Sequence, residues 1–269
     1  MGRTIGVIAI KGGVGKTTVV ANLGAVLAHE FNQRVLILDA NFSAANLGLH
    51  FGIVNPEITL HDVLAEKHDI KKAVISHGRM DIIAGSLVPK KVDPLKLRSK
   101  LNQLKKEYDF ILIDSSPALN EEILATMVAA DELMVVTTPD YPTLSCTMHA
   151  VKVAKRRGTP ITGIIVNKKR NQLFELTTEE IEEATETPVI AVVRDDVRVL
   201  EALAATTPAT IYGNVTDVVV EYRKLGAALL GETYRDPRFL NRMRDALFKT
   251  DTAKHEVNRA VLGSPLAKK

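Results

Sequence analysis

The 269-residue chain has a single cysteine and no long apolar run. Because Cys146 has no second cysteine to pair with, an internal disulfide is excluded and a reducing, cytoplasmic setting is expected. No run approaches the roughly 18 apolar residues of a membrane-spanning helix. The N-terminus leads directly into a predicted strand and lacks the pattern of a signal peptide. The sequence therefore predicts a globular cytoplasmic protein.

The formal net charge of +3 is concentrated in the C-terminal tail. Residues 232–269 contain nine Lys and Arg against five Asp and Glu, a net of +4, which leaves a net of −1 in residues 1–231. A neutral body argues weakly against extensive binding to the DNA backbone, which needs a dense basic face. The sequence therefore gives no strong nucleic-acid signal, although a local basic patch is compatible with a neutral total.

Short β-branched runs alternate with segments of helical spacing, a pattern typical of crossover units on a parallel sheet. Strands are predicted near residues 5–10, 34–39, 81–84, 109–114, 133–138, 161–166 and 188–193. Helices are predicted near residues 16–30, 95–107, 120–130, 143–157, 177–185, 197–206 and 215–230. Several strand runs are apolar throughout, as expected for strands buried on both faces. The predicted fold class is a three-layer, doubly wound α/β domain with a mostly parallel sheet, covering residues 1–231.

A boundary near Gly231 separates this domain from a basic helical extension over residues 232–269. Within the extension, residues 237–249 are expected to form an amphipathic helix whose apolar face carries Phe239, Leu240, Met243, Ala246 and Leu247. A second short helix is predicted over roughly 253–262. Such a tail is compatible with weak contact with a membrane surface, with docking on a partner, or with packing back on its own body.

The most informative segment is residues 11–18, Lys-Gly-Gly-Val-Gly-Lys-Thr-Thr. It lies between a strand-like run and a segment with helical spacing, which is the context of a phosphate-binding loop. Glycines let backbone N–H groups approach an anion, and the positive end of the following helix points at the same place. Lys16 is predicted to reach the outer phosphates, and the Thr17 hydroxyl to bind Mg²⁺. The other loop residues predicted to hold the nucleotide are Gly12, Gly13, Val14, Gly15 and Thr18.

Two aspartates follow apolar runs at the predicted ends of strands. Asp39 follows residues 35–38, and Asp114 follows residues 110–113. Because open α/β sheets bring the carboxyl ends of their strands together at one edge, both acids are expected beside the loop. Carboxylates in this position bind Mg²⁺, usually through a bound water molecule. Asp39 and Asp114 are therefore predicted metal-site residues, although each alone is also compatible with a helix cap or a turn.

The loop departs from the usual G-x-x-x-x-G-K-[ST] pattern, because Ile10 stands at the first glycine and a second lysine, Lys11, opens the segment. In this form it resembles the deviant phosphate-loop ATPases, the group containing MinD, ParA and the nitrogenase iron protein. Residues 39–49 and 114–118 are similar to the two switch segments of archaeal MinD-like proteins, and the similarity covers roughly residues 3–230. The resemblance implies ATP and Mg²⁺ as cofactors and ATP hydrolysis as the activity.

In that family ATP is held between two subunits, and each signature lysine, here Lys11, faces the phosphates held by the other subunit. The resemblance therefore implies an ATP-dependent homodimer in which Lys11 stabilises charge on the transferring phosphoryl group. It also implies that Asn167 contacts adenine and that Asp196 belongs to the nucleotide site. Arg194 stands where a proline is common in the family.

One departure concerns catalysis. The family commonly has a second acid two residues after the first, and that acid positions the attacking water, whereas this chain has Asn41. An amide orients water but cannot take its proton, and phosphoryl transfer depends mostly on positioning and electrostatics. Slow hydrolysis and a long-lived ATP-bound dimer are therefore predicted, with Asn41 as the residue that orients water.

The leading hypothesis is an ATP-dependent dimerisation switch, with a protein partner, in intracellular positioning or cell-division-type organisation. Iron–sulfur chemistry is disfavoured, because one cysteine per chain cannot supply the cysteine pair with which related iron proteins hold a cluster. A nucleotide-dependent scaffold that hardly hydrolyses ATP is the alternative that Asn41 favours. A synthetase that uses the same loop to phosphorylate a small substrate is a third hypothesis.

Overall fold

A computed structural model describes residues 2–88, 90–238 and 253–262 of the chain. The described strands are β1 (Arg3–Ile8), β2 (Val35–Ala40), β3 (Ile75–His77), β4 (Met80–Ile83), β5 (Phe110–Ser115), β6 (Glu132–Thr137), β7 (Ile161–Lys169) and β8 (Val189–Arg194). They form one sheet in the order β3-β4-β2-β5-β1-β6-β7-β8. Neighbouring strands run parallel except for β3 and β4, which form an antiparallel hairpin.

Helices connect the strands. The described α-helices are α1 (Lys16–His29), α2 (Leu60–Leu64), α3 (Leu97–Leu101), α4 (Glu121–Ala129), α5 (Tyr141–Arg157), α6 (Thr178–Thr185), α7 (Val197–Ala204), α8 (Asp217–Leu230) and α9 (Lys254–Ala260). Three short 3₁₀ turns lie at Leu47–Phe51, Ile70–Ala73 and Pro94–Lys96.

Each face of the sheet is covered by helices, because alternate residues of a strand point to opposite faces. On one face, Ile5 and Val7 of β1 lie in a core that also contains residues of α1 and α8. On the other face, Leu36 of β2 packs with residues of α2 and α3, and Ile8 of β1 packs with residues of α5 and α6. This arrangement confirms the predicted three-layer, doubly wound α/β fold.

The seven predicted strands and six of the seven predicted helices are confirmed, with ends that lie within three residues of those expected. The helix predicted over 95–107 is wrong in extent, because α3 ends at Leu101 and the chain continues in tight turns. In those turns Leu104 N donates to Leu101 O, and Glu107 N donates to Leu104 O, both at 2.9 Å. The short elements β3 and α2 were not predicted.

The C-terminal tail packs against the body where the structure describes it. Helix α9, which confirms the short helix expected over 253–262, lies against β8 and α8. Its Arg259 is only 4% exposed and donates to Glu221 Oε1 of α8 at 2.7 Å. The amphipathic helix predicted over 237–249 lies almost entirely outside the described residues. Within the ranges that are described, no helix is long and apolar enough to cross a membrane.

Candidate nucleotide-binding and hydrolysis site

The loop of residues 11–18 connects β1 to α1 at the carboxyl edge of the sheet. Gly13 and Gly15 have φ angles of 77° and 96°, in the left-handed region that favours glycine. A side chain at Gly15 is also excluded by space, since its Cβ would lie 2.2 Å from Asn167 Nδ2. Gly15 is the N-cap residue of α1, and it caps the helix without a side chain. The positive end of α1 is therefore available to an anion.

Lys16 is the first residue of α1 and is only 7% exposed. Burial lowers its pKa, and the nearby Asp114 carboxylate acts in the opposite direction. A cation that is removed from water in this way gains most from an anionic partner within reach. The position of Lys16 beside the cleft fits the role of binding the outer phosphates of a nucleotide.

Asp39 and Asp114 lie opposite each other at the ends of β2 and β5, which pair in parallel. Asp39 is fully buried, and its carboxylate accepts the N–H groups of Asn41, Asn46 and Leu47 at 3.1, 2.8 and 2.8 Å. These bonds fix the segment that follows β2. Both aspartates are therefore at the edge of the sheet where the sequence predicts them.

The two buried carboxylates perturb one another. Burial raises the pKa of Asp39 to about 6, although three backbone N–H donors act against that rise. Burial, together with the charge of Asp39, raises the pKa of Asp114 to about 7, although Thr17 and Lys16 act against it. Near neutral pH, ionisation of both carboxylates is therefore unfavourable, because the nearby positive charge does not offset their burial and mutual repulsion.

These residues fit a magnesium ion. Asp114 Oδ1 is buried and has no hydrogen-bond partner among the described residues. The Thr17 hydroxyl lies in the same place, since it donates to Asn46 Oδ1 at 3.2 Å and is close enough to Asp114 to act against the rise of that pKa. Thr17, Asp39 and Asp114 are the oxygen donors that would hold Mg²⁺, directly or through water. When bound, the ion would neutralise charge on the phosphates and on the two acids.

We predict that Asp114 makes the stability of the metal-free protein fall as the pH rises. Its folded pKa of about 7 lies above the ordinary value of 3.8, so its contribution is present at acid pH and is lost between about pH 4 and 7. In urea unfolding, the free energy of unfolding of Asp114→Asn relative to that of the wild type should be higher at pH 8 than at pH 5 by a few kcal/mol. Mg²⁺ should reduce this increase. A difference between the two proteins that does not change with pH would contradict the assignment.

Asn41 lies directly after β2 and is 7% exposed. Its backbone N–H donates to Asp39, and its side-chain Nδ2 donates to Ala44 O at 2.7 Å. Its Oδ1 is buried without a partner among the described residues, and the residue lines the cleft above the loop. An amide fixed in this way can accept a hydrogen bond from water but has no basic group to take a proton.

Lys11 faces a different cleft from Lys16. Its Nζ donates to Thr143 Oγ1 at 2.7 Å and pairs with Asp140 Oδ1 at 3.3 Å. Burial acts to raise the pKa of Asp140, but hydrogen bonds from Thr138 and Thr143 outweigh it and hold that pKa at about 2. Lys11 therefore rests on a permanent anion, in a second cleft of about 320 Å³ on the outer side of the loop.

The cleft above the loop has a volume of about 310 Å³ and extends to the end of β8. Asn167 lines it and is 5% exposed, and its Nδ2 donates to Val14 O at 2.8 Å, so the amide also supports the loop. Asp196 lines the far end and caps α7 by accepting the Arg198 N–H at 2.9 Å. The structure therefore brings Asn167 and Asp196 to the cleft of Lys16 and Asn41, whereas Lys11 lies outside that cleft.

Sequence reasoning missed the residues that hold Lys11. Asp140 comes three residues after the end of the apolar strand β6, whereas Asp39 directly follows its apolar run within β2, so the pattern of an apolar run and an acid was present only in a looser form. Pro142 in the first turn of α5 was a further signal, because proline favours helix starts. Asp140 is the N-cap residue of α5, and its carboxylate accepts the Thr143 N–H at 2.9 Å.

Comparisons with known proteins agree with this geometry. A family model described as an AAA domain matches residues 2–158. An uncharacterized ATP-binding protein of Methanocaldococcus jannaschii is 36% identical over 87% of this chain and 90% of its own length. The cell division ATPase MinD of Pyrococcus furiosus has a TM-score of 0.80 at 32% identity, over 84% of this chain and 97% of that chain. The septum site-determining protein MinD of Pyrococcus horikoshii, solved with Mg-ADP, has a TM-score of 0.80 at 33% identity, over 84% and 95%.

The chain therefore belongs to the MinD/ParA-type P-loop ATPases and is related to the archaeal MinD-like proteins. The expected family is confirmed. The expected cofactors, ATP and Mg²⁺, agree with the Mg-ADP complex of the Pyrococcus horikoshii protein.

Proposed function

We propose that this protein is an ATP-dependent dimerisation switch that hydrolyses ATP slowly. The observation that carries the proposal is the position of Lys11, which rests on Asp140 and Thr143 outside the cleft of Lys16. A lysine placed there does not line the cleft that would hold the nucleotide of its own chain, and we infer that it is available to a second chain. Residues 1–231 would act as the ATPase domain, and residues 232–269 as a basic extension.

Activity that requires a dimer depends on protein concentration, and this dependence tests the proposal. Hydrolysis per chain should rise with chain concentration and then level off once most chains are dimeric. Because Lys11 would arrive from the partner, a monomer should bind MgATP without turning it over. Hydrolysis per chain that stays constant over a hundredfold range of concentration, in a protein that remains monomeric, would contradict the switch.

Slow turnover is proposed because Asn41 lines the cleft at the position where the family commonly has an acid. We predict that Asn41→Asp raises steady-state hydrolysis about tenfold, since a carboxylate can orient the attacking water and also accept its proton. The matched control is Asn46→Asp, because Asn46 also lines the cleft but contacts the Thr17 hydroxyl. Equal rates for the wild type and Asn41→Asp would show that the amide does not limit turnover.

The process served is proposed from the relatives. The Pyrococcus furiosus relative is a cell division ATPase and the Pyrococcus horikoshii relative is a septum site-determining protein. By this likeness the switch would act in intracellular positioning or division, where the two nucleotide states bind a protein partner differently. A partner from the same cells that is retained by immobilised protein in MgATP, and released in MgADP, is the expected finding.

A second candidate is a scaffold that binds ATP and hardly hydrolyses it. The specific observation in its favour is again the amide of Asn41, which cannot take a proton. The two candidates differ in single turnover: a switch converts bound ATP to ADP within its working cycle, whereas a scaffold retains ATP. Recovery of intact ATP from the dimer after hours would favour the scaffold.

We also propose weak contact between residues 237–249 and a membrane surface in the ATP state. Two copies of this segment in a dimer would bind a bilayer more tightly than one, because the second binding event is intramolecular. Full-length protein should sediment with anionic vesicles in MgATP, and Leu240→Ser with Leu247→Ser should reduce this by about tenfold. Unchanged sedimentation of that variant would exclude the tail as the contact.

A further inference from the structure

The body of the protein is neutral as a whole but not locally. Residues 62–107 contain 11 Lys and Arg against 6 Asp and Glu, a net of +5. The rest of residues 1–231 then contains 15 basic against 21 acidic residues, a net of −6. The near-neutral total therefore conceals a basic segment at one end of the sheet, where β3 and β4 form its edge.

The basic segment forms one outer surface. Buried residues of the 3₁₀ turn Ile70–Ala73, of α3 and of the following turns lie in a single core against β2, β4 and β5. Their exposed neighbours therefore face solvent on the same layer. Ion pairs join the parts: Lys71 Nζ lies 2.5 Å from Glu107, and Lys96 Nζ lies 2.7 Å from Glu66.

Four cations of this layer form no ion pair within 4.0 Å among the described residues: Lys72, Lys91, Arg98 and Lys100. We call them the basic face. Buried residues adjoin three of them in the chain: Ala73 follows Lys72, Leu97 precedes Arg98, and Leu101 follows Lys100. A charge without an internal partner is free to attract an external anion.

Apolar side chains are exposed in the same stretch of chain, since Val88 precedes Lys91 by three residues and Leu95 precedes Arg98 by three. Leu87, Val88 and Leu95 are 44%, 70% and 59% exposed, and we call them the apolar tip. Hydrogen bonds fix the segment that carries Leu87 and Val88, because Ser86 N donates to His61 Nδ1 at 3.0 Å and Ser86 Oγ donates to Val88 O at 2.8 Å. These two apolar side chains are therefore exposed on an ordered part of the backbone.

We propose that the basic face and the apolar tip form a docking surface for an anionic lipid bilayer. Lysine and arginine are attracted to the negative headgroups, and exposed aliphatic side chains enter the boundary between headgroups and acyl chains. A nucleic acid would use the cations but would leave the apolar tip in water. The combination of both features favours the bilayer, and this surface lies at the opposite end of the sheet from α9.

The test measures sedimentation of the full chain with phosphatidylcholine vesicles and with vesicles that also contain about one third phosphatidylglycerol. A cation near an anionic surface contributes about fivefold to binding, so Lys91→Gln, Arg98→Gln and Lys100→Gln together should weaken binding on the order of a hundredfold. The matched control replaces three exposed cations of α5, Lys152→Gln, Arg156→Gln and Arg157→Gln, and should change binding by less than about threefold. Val88→Ser with Leu95→Ser should weaken binding by about tenfold without changing net charge.

Equal losses in the two triple variants would overturn the proposal, because net charge alone would then explain binding. Loss of all vesicle binding in Leu240→Ser with Leu247→Ser would also overturn it, since the tail would be the only contact. A third arm uses duplex DNA at the same salt concentration. If the basic-face variant loses DNA retention while the wild type ignores anionic vesicles, the partner is a nucleic acid and the bilayer proposal is wrong.

Discussion

Replacing Lys11 with alanine should lower ATP hydrolysis by about a thousandfold, as expected for loss of a cation that a partner supplies to the transferring phosphoryl group. ATP binding by a single chain should change little, because Lys11 lies outside the cleft that Lys16 lines. Lys16→Ala is the matched control, since it removes a lysine from the same loop and should abolish ATP binding itself. Rates come from phosphate release, and affinities from equilibrium binding of a fluorescent ATP analogue.

The resting contacts of Lys11 sharpen this prediction. To reach a partner, Lys11 must leave the Asp140 carboxylate and the Thr143 hydroxyl, both of which are bonded to it in the single chain. Asp140→Asn should therefore favour the ATP-bound dimer by weakening the resting contact. If Lys11→Ala forms a normal dimer in MgATP and still hydrolyses at the wild-type rate, Lys11 has no role in trans.

Replacing Arg259 with methionine should destabilise the docked tail by about 3–5 kcal/mol, which is the usual cost of removing one partner from a buried ion pair. Arg259 and Glu221 have side chains that are 5% and 11% exposed, and their atoms lie 2.7 Å apart. Glu221 also accepts the Val192 N–H of β8 at 2.9 Å, so the pair joins α9, α8 and the sheet. Urea unfolding and hydrogen exchange over residues 253–262 measure the loss.

An exposed ion pair that also involves α8 serves as the control. Arg194 of β8 pairs with Asp217 of α8 at 3.2 Å, but these side chains are 56% and 48% exposed, so Arg194→Met should cost less than about 1 kcal/mol. Adding Glu221→Gln to Arg259→Met should recover part of the loss, because the remaining buried charge is removed while an acceptor for Val192 stays. Equal costs for Arg259→Met and Arg194→Met would show that the tail is not docked through this pair.

The parts of the site that follow local rules were predictable from sequence. A strand, a glycine loop and a helix in succession locate residues 11–18, and Gly13 and Gly15 adopt the positive φ that such a loop needs. The ends of β2 and β5 place Asp39 and Asp114 side by side because parallel strands share a carboxyl edge.

Contacts between residues far apart in sequence were not predictable in this way. Lys11 and Asp140 are 129 residues apart, and only the completed sheet brings the loop after β1 next to the start of α5. Hairpin strand β3 was missed because three residues with intermediate or exposed side chains give no apolar pattern. The basic segment 62–107 was hidden because acidic residues elsewhere in the body cancel its charge.

The central claim is that ATP assembles two chains, and the most direct test is the molar mass in solution by light scattering. One chain has a mass of 29.4 kDa. We expect that mass without nucleotide and in MgADP, and twice that mass in MgATP, with Lys11→Ala remaining monomeric in all three conditions. A wild-type protein that stays at the mass of one chain in saturating MgATP would contradict the account.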